Sequence, residues 1–212
     1  MKLRTILAGT AVASLALFGG AAAPVGLPFT APAEAAVNVS LSVFYDGLAD
    51  HGDWVRYHDA YVFIPADVGP DWKPYTIGHW VYADRYGWTW ASEEPFGWAT
   101  YHYGRWGYSE DIGWYWVPGR KWAPAWVSWR RSRDYVVWAP LPPSRHDGAD
   151  VSVEINVRDV PDFYWVAVPA RQFLAPDLRV VVVTGDRDMR QVVRHTKFIG
   201  TPRVTNNIVI NN

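Results

Sequence analysis

Aromatic and other apolar residues alternate with polar ones over short stretches in the middle of the chain. Trp80 and Tyr82 are two positions apart, as are Trp88 and Trp90, so each pair lies on one face of an extended strand. Residues 83–87, between the pairs, contain the polar side chains of a turn and a glycine that can adopt a positive φ. Proline and glycine interrupt the windows that would be long enough for a helix. The pattern therefore predicts a β-hairpin.

This hairpin pattern recurs with a period of 26 residues. The equivalent positions are Gly52, Gly78 and Gly104; Trp54, Trp80 and Trp106; Tyr82 and Tyr108; Gly87 and Gly113; Trp88 and Trp114; Trp90 and Trp116; Trp72 and Trp98; and Tyr75 and Tyr101. The first unit diverges, because Val62 and Ile64 stand where the later units have the Trp pair. A fixed period with a divergent terminal unit is typical of repeat architectures. We therefore predict three tandem hairpins, arranged as a β-meander.

More β-structure is predicted after the repeats. Residues 126–129 and 135–138 flank an Arg-Arg-Ser-Arg-Asp stretch and predict a further hairpin. Later strands are predicted over residues 151–157, 163–168 and 179–184, and one helical turn over residues 169–174. The tail over residues 201–212 is interpreted either as an edge strand that can pair with another chain or as a poorly ordered end.

The first 35 residues have the pattern of a secretory signal peptide. Lys2 and Arg4 precede an apolar run over residues 6–18, which is too short to span a bilayer as a helix. Residues 33–35 offer a small-x-small cleavage site before Ala36, and an uncleaved anchor is the alternative. We expect an exported protein, periplasmic or extracellular, without a transmembrane segment after cleavage.

The predicted fold class is all-β, with four segments along the chain. A signal peptide over residues 1–35 precedes a linker or first strand over residues 36–51. A Trp/Gly-rich hairpin-repeat domain follows over residues 52–145, and a smaller β-rich C-terminal part over residues 146–212.

Composition narrows the possible chemistry. The chain has no cysteine, which excludes disulfides, Fe–S clusters, thiol nucleophiles and cysteine zinc sites. A formal net charge of −1 gives no reason to expect a nucleic-acid partner. The charge is uneven, since residues 37–112 carry about −7 and residues 113–145 about +5. Arg130, Arg131 and Arg133 lead the basic part and form either a patch for an anionic partner or a solvated hairpin tip.

The 14 Trp residues have two possible roles. Most must be buried, because so many exposed indoles would make the protein aggregate, and buried Trp pairs would supply the hydrophobic core. Alternatively, Trp88, Trp90, Trp114 and Trp116 form open platforms that stack on sugar rings or another extended polymer. Carboxylates near these positions would then bind sugar hydroxyls, or are solvated turn residues; they are Asp84, Glu93, Glu94, Glu110 and Asp111.

Motifs for catalysis are absent from the sequence. No Gly-x-Ser-x-Gly elbow, phosphate-binding glycine loop or metal-binding histidine motif occurs, and we predict no cofactor. His79 and His102 lie beside glycines in the repeat strands, where they either approach a shared metal or occupy ordinary strand positions. Glu93 or Glu94 can supply one acid of a glycosidase pair, but the sequence shows no partner.

Several longer strings resemble a known family. They are Gly-Trp-Thr-Trp at residues 87–90, Glu-Pro-Phe-Gly-Trp-Ala-Thr-Tyr-His-Tyr-Gly-Arg-Trp at residues 94–106, Trp-Ala-Pro-Ala-Trp-Val-Ser-Trp-Arg at residues 122–130 and Trp-Ala-Pro-Leu-Pro-Pro at residues 138–143. They are similar to an uncharacterised family of secreted proteobacterial proteins with Tyr-x-Trp-Gly-x-Trp repeats. The motif itself occurs only as Tyr101-x-Tyr103-Gly104-x-Trp106, with Tyr in place of the first Trp. The resemblance implies export and a β-rich Trp/Gly scaffold, and it implies no activity.

Three functional hypotheses follow. The first is a noncatalytic scaffold of the cell envelope or the extracellular space that contacts a protein or polymer partner. The second is a glycan- or peptidoglycan-binding module that uses the Trp platforms. The third is a glycoside-active enzyme.

Overall fold

The structure is a computed structural model that describes residues 40–143 and 160–201 and the backbone of residues 203–205 and 208–210. The predicted signal peptide and the strand predicted over residues 151–157 lie outside the described residues. Antiparallel strands dominate the regular structure, which confirms the predicted all-β class. None of the helices in the described ranges combines the length and the apolar character that crossing a bilayer requires.

The strands are short and mostly come in consecutive pairs. They are β1 (Gly52–Tyr57), β2 (Ala60–Pro65), β3 (Gly78–Ala83), β4 (Gly87–Ser92), β5 (Arg105–Ser109), β6 (Gly113–Val117), β7 (Val127–Arg131), β8 (Tyr135–Pro140), β9 (Val166–Pro169), β10 (Lys197–Gly200), β11 (Arg203–Thr205) and β12 (Ile208–Ile210). The helices are α1 (Leu41–Leu48), α2 (Gly97–Thr100) and α3 (Asp186–Arg194). One-turn 3-10 helices lie at Ala49–His51, Asp162–Tyr164, Ala170–Gln172 and Leu178–Val180.

Each of the three predicted units contains an antiparallel hairpin: hairpin 1 is β1–β2, hairpin 2 is β3–β4 and hairpin 3 is β5–β6. Ala83 pairs with Gly87 in hairpin 2, and Ser109 pairs with Gly113 in hairpin 3, so each loop has the same length. Gly87 and Gly113 have φ values of 74° and 72°. This left-handed conformation is usual at the end of a three-residue hairpin loop and suits glycine.

The three hairpins do not form the predicted meander. Hairpin 3 pairs with hairpin 1 through β2 and β6, which gives the strand order β1-β2-β6-β5, while hairpin 2 is a separate two-stranded sheet. Hairpin 2 packs instead on the following part of the chain. The Trp80 ring lies 4.5 Å from Trp129 and 5.7 Å from Trp138, and the Trp90 amide donates to the Pro124 carbonyl.

A second sheet has the order β10-β7-β8-β9. Its centre is hairpin 4 (β7–β8), which is the further hairpin that the sequence predicts. Strand β9 lies at the end of the predicted strand over residues 163–168, and the 3-10 turn Ala170–Gln172 lies within the predicted helical turn. The tail forms β11 and β12, which pair with each other.

Three helical segments correct the sequence-based prediction. Residues 36–51 were expected to form a linker or first strand, but α1 occupies Leu41–Leu48 and buries Phe44 and Leu48, one turn apart. The strand predicted over residues 179–184 is wrong, because Asp177 caps a 3-10 turn at Leu178–Val180. Helix α3 was not predicted; it buries Met189 and Val192 and has acidic residues in its first turn, where they suit the helix dipole.

Aromatic residues form a ladder with two rungs on one face of hairpin 2 and of hairpin 3. The inner rungs are the paired residues Trp80 and Trp90 in hairpin 2 and Trp106 and Trp116 in hairpin 3, and all four are buried. The outer rungs are Tyr82 and Trp88 in hairpin 2 and Tyr108 and Trp114 in hairpin 3. The outer rungs lie nearer the turns, at the edge of the core. Equivalent positions of the two hairpins therefore have the same type of cross-strand partner, with the inner rung buried and the outer rung partly exposed.

Candidate functional site: the aromatic hairpin tips

The tip of hairpin 3 carries a cluster of four aromatic residues, which we call the hairpin-3 tip: Tyr108, Trp114, Phe163 and Tyr164. Tyr108 lies 5.5 Å from Trp114 and 4.9 Å from Phe163, edge to face in both cases. Tyr164 is buried below and lies 4.6 Å from Trp114 and 4.9 Å from Phe163. Tyr108 and Phe163 remain 40% and 41% exposed. The cluster therefore presents aromatic surface to solvent on a buried aromatic support.

The tip of hairpin 2 has a related arrangement, which we call the hairpin-2 tip: Tyr82, Trp88 and Phe173. Trp88 lies 5.3 Å from Tyr82 and 4.9 Å from Phe173, again edge to face. Tyr82 is 62% exposed, while Phe173 belongs to the core. Two equivalent hairpins thus end in an exposed tyrosine that leans on a half-buried tryptophan.

The structure corrects the predicted platforms. Trp90 and Trp116 belong to the inner rungs and are buried, so neither ring can stack on a ligand. Trp88 and Trp114 are half-buried and belong to the two tips. The exposed aromatic residues at the tips are Tyr82, Tyr108 and Phe163, which the sequence did not indicate as ligand-binding positions.

Phe163 reaches the hairpin-3 tip because a 3-10 turn precedes β9. The Tyr164 amide donates to the Pro161 carbonyl, which closes this turn at Asp162–Tyr164. The turn directs Phe163 outwards and Tyr164 into the core. The apolar run Phe163-Tyr164-Trp165 favours a buried strand, and the sequence signal for the turn was Pro161, which precedes it.

Three carboxylates are close in sequence to residues of the hairpin-3 tip. Glu110 and Asp111 lie in the loop of hairpin 3, and Asp162 precedes Phe163; all three are exposed. Among the described residues, none of their carboxylate oxygens forms a hydrogen bond or an ion pair with a protein group. In the loop of hairpin 2, Asp84 is followed by Arg85, whose guanidinium lies 5.3 Å from the Tyr86 ring centroid. The two tips therefore differ in charge.

Glu94 is a half-buried carboxylate inside the aromatic core. The Trp72 indole donates to its Oε1 at 2.6 Å, and the Tyr101 hydroxyl donates to its Oε2. Burial raises the pKa of Glu94 from 4.5 to about 7, although these hydrogen bonds act in the opposite direction. Both oxygens already have protein partners, which is typical of a structural group. Its neighbour Glu93 is exposed and lies 3.6 Å from Arg179.

A buried polar network continues from Glu94 to the second sheet. The Tyr75 hydroxyl donates to the Tyr101 carbonyl at 2.9 Å and accepts from the Trp126 amide at 3.0 Å. The Trp138 indole donates to the Tyr75 carbonyl at 3.0 Å. Burial raises the pKa of Tyr75, and nearby Arg105 acts in the opposite direction. The network connects the segments between the repeat hairpins to hairpin 4.

Arg130 does not belong to an open basic patch. Its guanidinium donates to the Val193 carbonyl at 3.2 Å and to the Thr196 carbonyl at 2.8 Å, at the C-terminal end of α3. A cation at this end suits the helix dipole and adds to the hydrogen bonds that Thr196 donates to the Val193 carbonyl. Arg131 and Arg133 are exposed, so only these two of the predicted patch remain at the surface.

The histidines do not form a metal site in the described part of the chain. Across residues 40–143 and 160–201, no three His, Asp or Glu side chains come close enough to hold a metal ion. His102 Nδ1 lies 2.9 Å from the Ala123 carbonyl, its ring stacks on Trp122 and burial lowers its pKa.

Away from the tips, a cleft of about 500 Å³ separates the turn of hairpin 4 from α3 and is lined by Asp134, Asp188 and His195 among others.

These observations define an all-β protein with an aromatic core and exposed aromatic hairpin tips. Residues 45–145, from α1 to just beyond hairpin 4, match the model of a family of unknown function, DUF6600. The match covers the repeat hairpins, including Tyr82 and Tyr108, and excludes Phe163. No curated protein and no solved structure gives a significant match to this chain.

Proposed function

We propose that this protein is an exported, noncatalytic interaction protein of the cell envelope or the extracellular space, which binds a protein or polymer partner through its two aromatic tips. The observation that carries the proposal is the contrast between the rungs. The inner rungs are buried, whereas Tyr82, Tyr108 and Phe163 are exposed. Aromatic side chains held by buried neighbours bind partners at a small cost in side-chain entropy.

The core supports this role because it fixes the tips from several directions. Trp88 packs on Phe173, and Trp114 packs on Tyr164, so each outer rung rests on residues from a later part of the chain. Hydrogen bonds through Tyr75 connect the segments that precede hairpins 2 and 3 to the start of hairpin 4. Binding surfaces of this kind need little reorganisation when a partner arrives.

The test compares the wild-type mature protein with a double variant that lacks the exposed tyrosines of the two tips, Tyr82→Ala with Tyr108→Ala. Each protein is immobilised and incubated with solubilised envelope fractions of the source cells, and the retained protein and polymer are measured. We expect retention by the wild type and at least a fivefold loss in the variant. Tyr61→Ala is the matched control, because Tyr61 is 54% exposed and lies on β2, away from both tips. Equal retention by all three proteins would refute the proposal.

Export is tested separately by fractionating cells and measuring the mass of the mature chain. We expect a chain that begins at Ala36 in the periplasm or the medium. A mass that includes Met1 would contradict export with cleavage.

A further inference from the structure

We propose that the hairpin-3 tip binds an uncharged, hydroxyl-rich polysaccharide. This inference rests on the function proposed above and names the chemical class of the partner at one of the two tips. It uses the ring geometry, the ring exposure and the charge of the surrounding residues.

The ring geometry suits a flat partner with polarised C–H bonds. The Tyr108 and Phe163 rings meet at 69°, and the two residues remain 40% and 41% exposed. Aromatic faces carry partial negative charge, and one face of a pyranose ring presents C–H hydrogens with partial positive charge. A sugar ring can therefore lie against either exposed ring.

The carboxylates supply the second half of the recognition. Glu110, Asp111 and Asp162 are exposed beside the tip residues in the chain, and none of their carboxylates has a protein partner among the described residues. Carboxylates accept hydrogen bonds only, whereas sugar hydroxyls can donate them. The tip thus offers stacking surface and hydrogen-bond acceptors.

Charge also excludes one class of partner. Three carboxylates and no Lys or Arg lie in the hairpin-3 loop and the Asp162–Tyr164 turn, so an anionic polymer would be repelled. A cationic polymer also suits this charge, and the test therefore includes one. The neutral polysaccharide is favoured because its C–H faces match the two rings and its hydroxyls match the carboxylates. Here the rings pack on one another edge to face or tilted, with centroids 4.6 to 6.1 Å apart.

The experiment is affinity electrophoresis of the mature protein in native gels that contain hydroxyethyl cellulose, laminarin or dextran, with alginate as an anionic polysaccharide. We expect at least one neutral polysaccharide, and not alginate, to retard the wild type. Tyr108→Ala and Phe163→Ala should each raise the dissociation constant about tenfold. Tyr61→Ala should leave it unchanged.

A second variant removes charge and keeps the rings. Glu110→Gln, Asp111→Asn and Asp162→Asn together should raise the dissociation constant at least threefold without changing the melting temperature, which separates recognition from folding. Retention on polylysine-agarose tests the cationic alternative.

The inference is overturned if no neutral polysaccharide retards the protein, if retardation survives both ring variants, or if the protein binds polylysine alone. If the envelope fraction is still retained through Tyr82 and Tyr108 in any of these cases, the proposed function stands and only the polysaccharide is wrong. Loss of both results would refute both proposals.

Discussion

Glu94 should make the stability of this protein fall as the pH rises. Its pKa is raised from 4.5 in an ordinary environment to about 7 in the fold. The folded state therefore holds a proton that the unfolded chain releases. The corresponding stability is fully present below about pH 4.5 and is lost as the pH rises to 7. At about 1.4 kcal/mol for each pH unit, the loss is about 3 kcal/mol.

Glu94→Gln removes the titration and keeps the shape of the side chain. The amide oxygen can accept from the Trp72 indole, and the amide nitrogen can donate to the Tyr101 hydroxyl, which can accept as well as donate. Near pH 4.5 the variant should be within about 1 kcal/mol of the wild type, because both side chains are then neutral. At pH 8 it should be more stable by about 3 kcal/mol.

The assay is urea unfolding of both proteins between pH 4.5 and 8, followed by tryptophan fluorescence. The difference between the two free energies of unfolding isolates Glu94, because the other titrating groups are common to both. Glu93→Gln is the control: Glu93 is exposed and its pair with Arg179 is solvated, so its effect should stay below about 1 kcal/mol. A difference between wild type and Glu94→Gln that does not change with pH would refute the reasoning.

Three further predictions concern the core, α3 and the surface. Trp138→Phe should cost about 1 to 3 kcal/mol more than Trp90→Phe in urea unfolding, since the Trp138 indole donates to the Tyr75 carbonyl, whereas the buried Trp90 indole nitrogen has no hydrogen-bond partner among the residues that the structure describes. A smaller cost for Trp138→Phe would contradict the network. Arg130→Met should remove the donors to the Thr196 carbonyl and to the Thr196 hydroxyl and speed amide hydrogen exchange at the end of α3, with about 1 to 3 kcal/mol lost; unchanged exchange would show that Arg130 does not stabilise this end. Trp98→Phe should remove a large part of acrylamide quenching, because Trp98 is 44% exposed while the inner-rung tryptophans are buried; quenching that stays the same would contradict this exposure.

The hairpins could be predicted from the sequence because their determinants are local. The spacing of Trp80 and Tyr82, and of Trp88 and Trp90, sets the strands, and Gly87 supplies the turn conformation. The arrangement of the hairpins could not be predicted. It depends on contacts such as that of Trp80 with Trp129, which join residues far apart in the chain.

Only part of the candidate site could be predicted, because some of its features are local in the sequence and others depend on contacts between distant residues. The period places Trp88 and Trp90 on one face, but it does not say which of them lies over the core and which lies near the turn. Phe163 belongs to the site only because hairpin 3 and the turn before β9 meet in space. The helices were missed because α1 and α3 each bury only two residues in a short span, and the Val-rich stretch over residues 180–183 favours a strand by composition.

On each strand of the ladder, an inner-rung residue that packs in the core lies only two positions from an outer-rung residue at the edge of the core. A substitution at an inner-rung position changes the packing of the buried core, whereas a substitution at an outer-rung tyrosine changes the exposed surface. Relatives with the same hairpins can therefore diversify at the tips, acquiring different preferences on an unchanged framework. Sequence variation within such a group should concentrate at the positions of Tyr82, Tyr108 and Phe163. The inner-rung tryptophans should vary less.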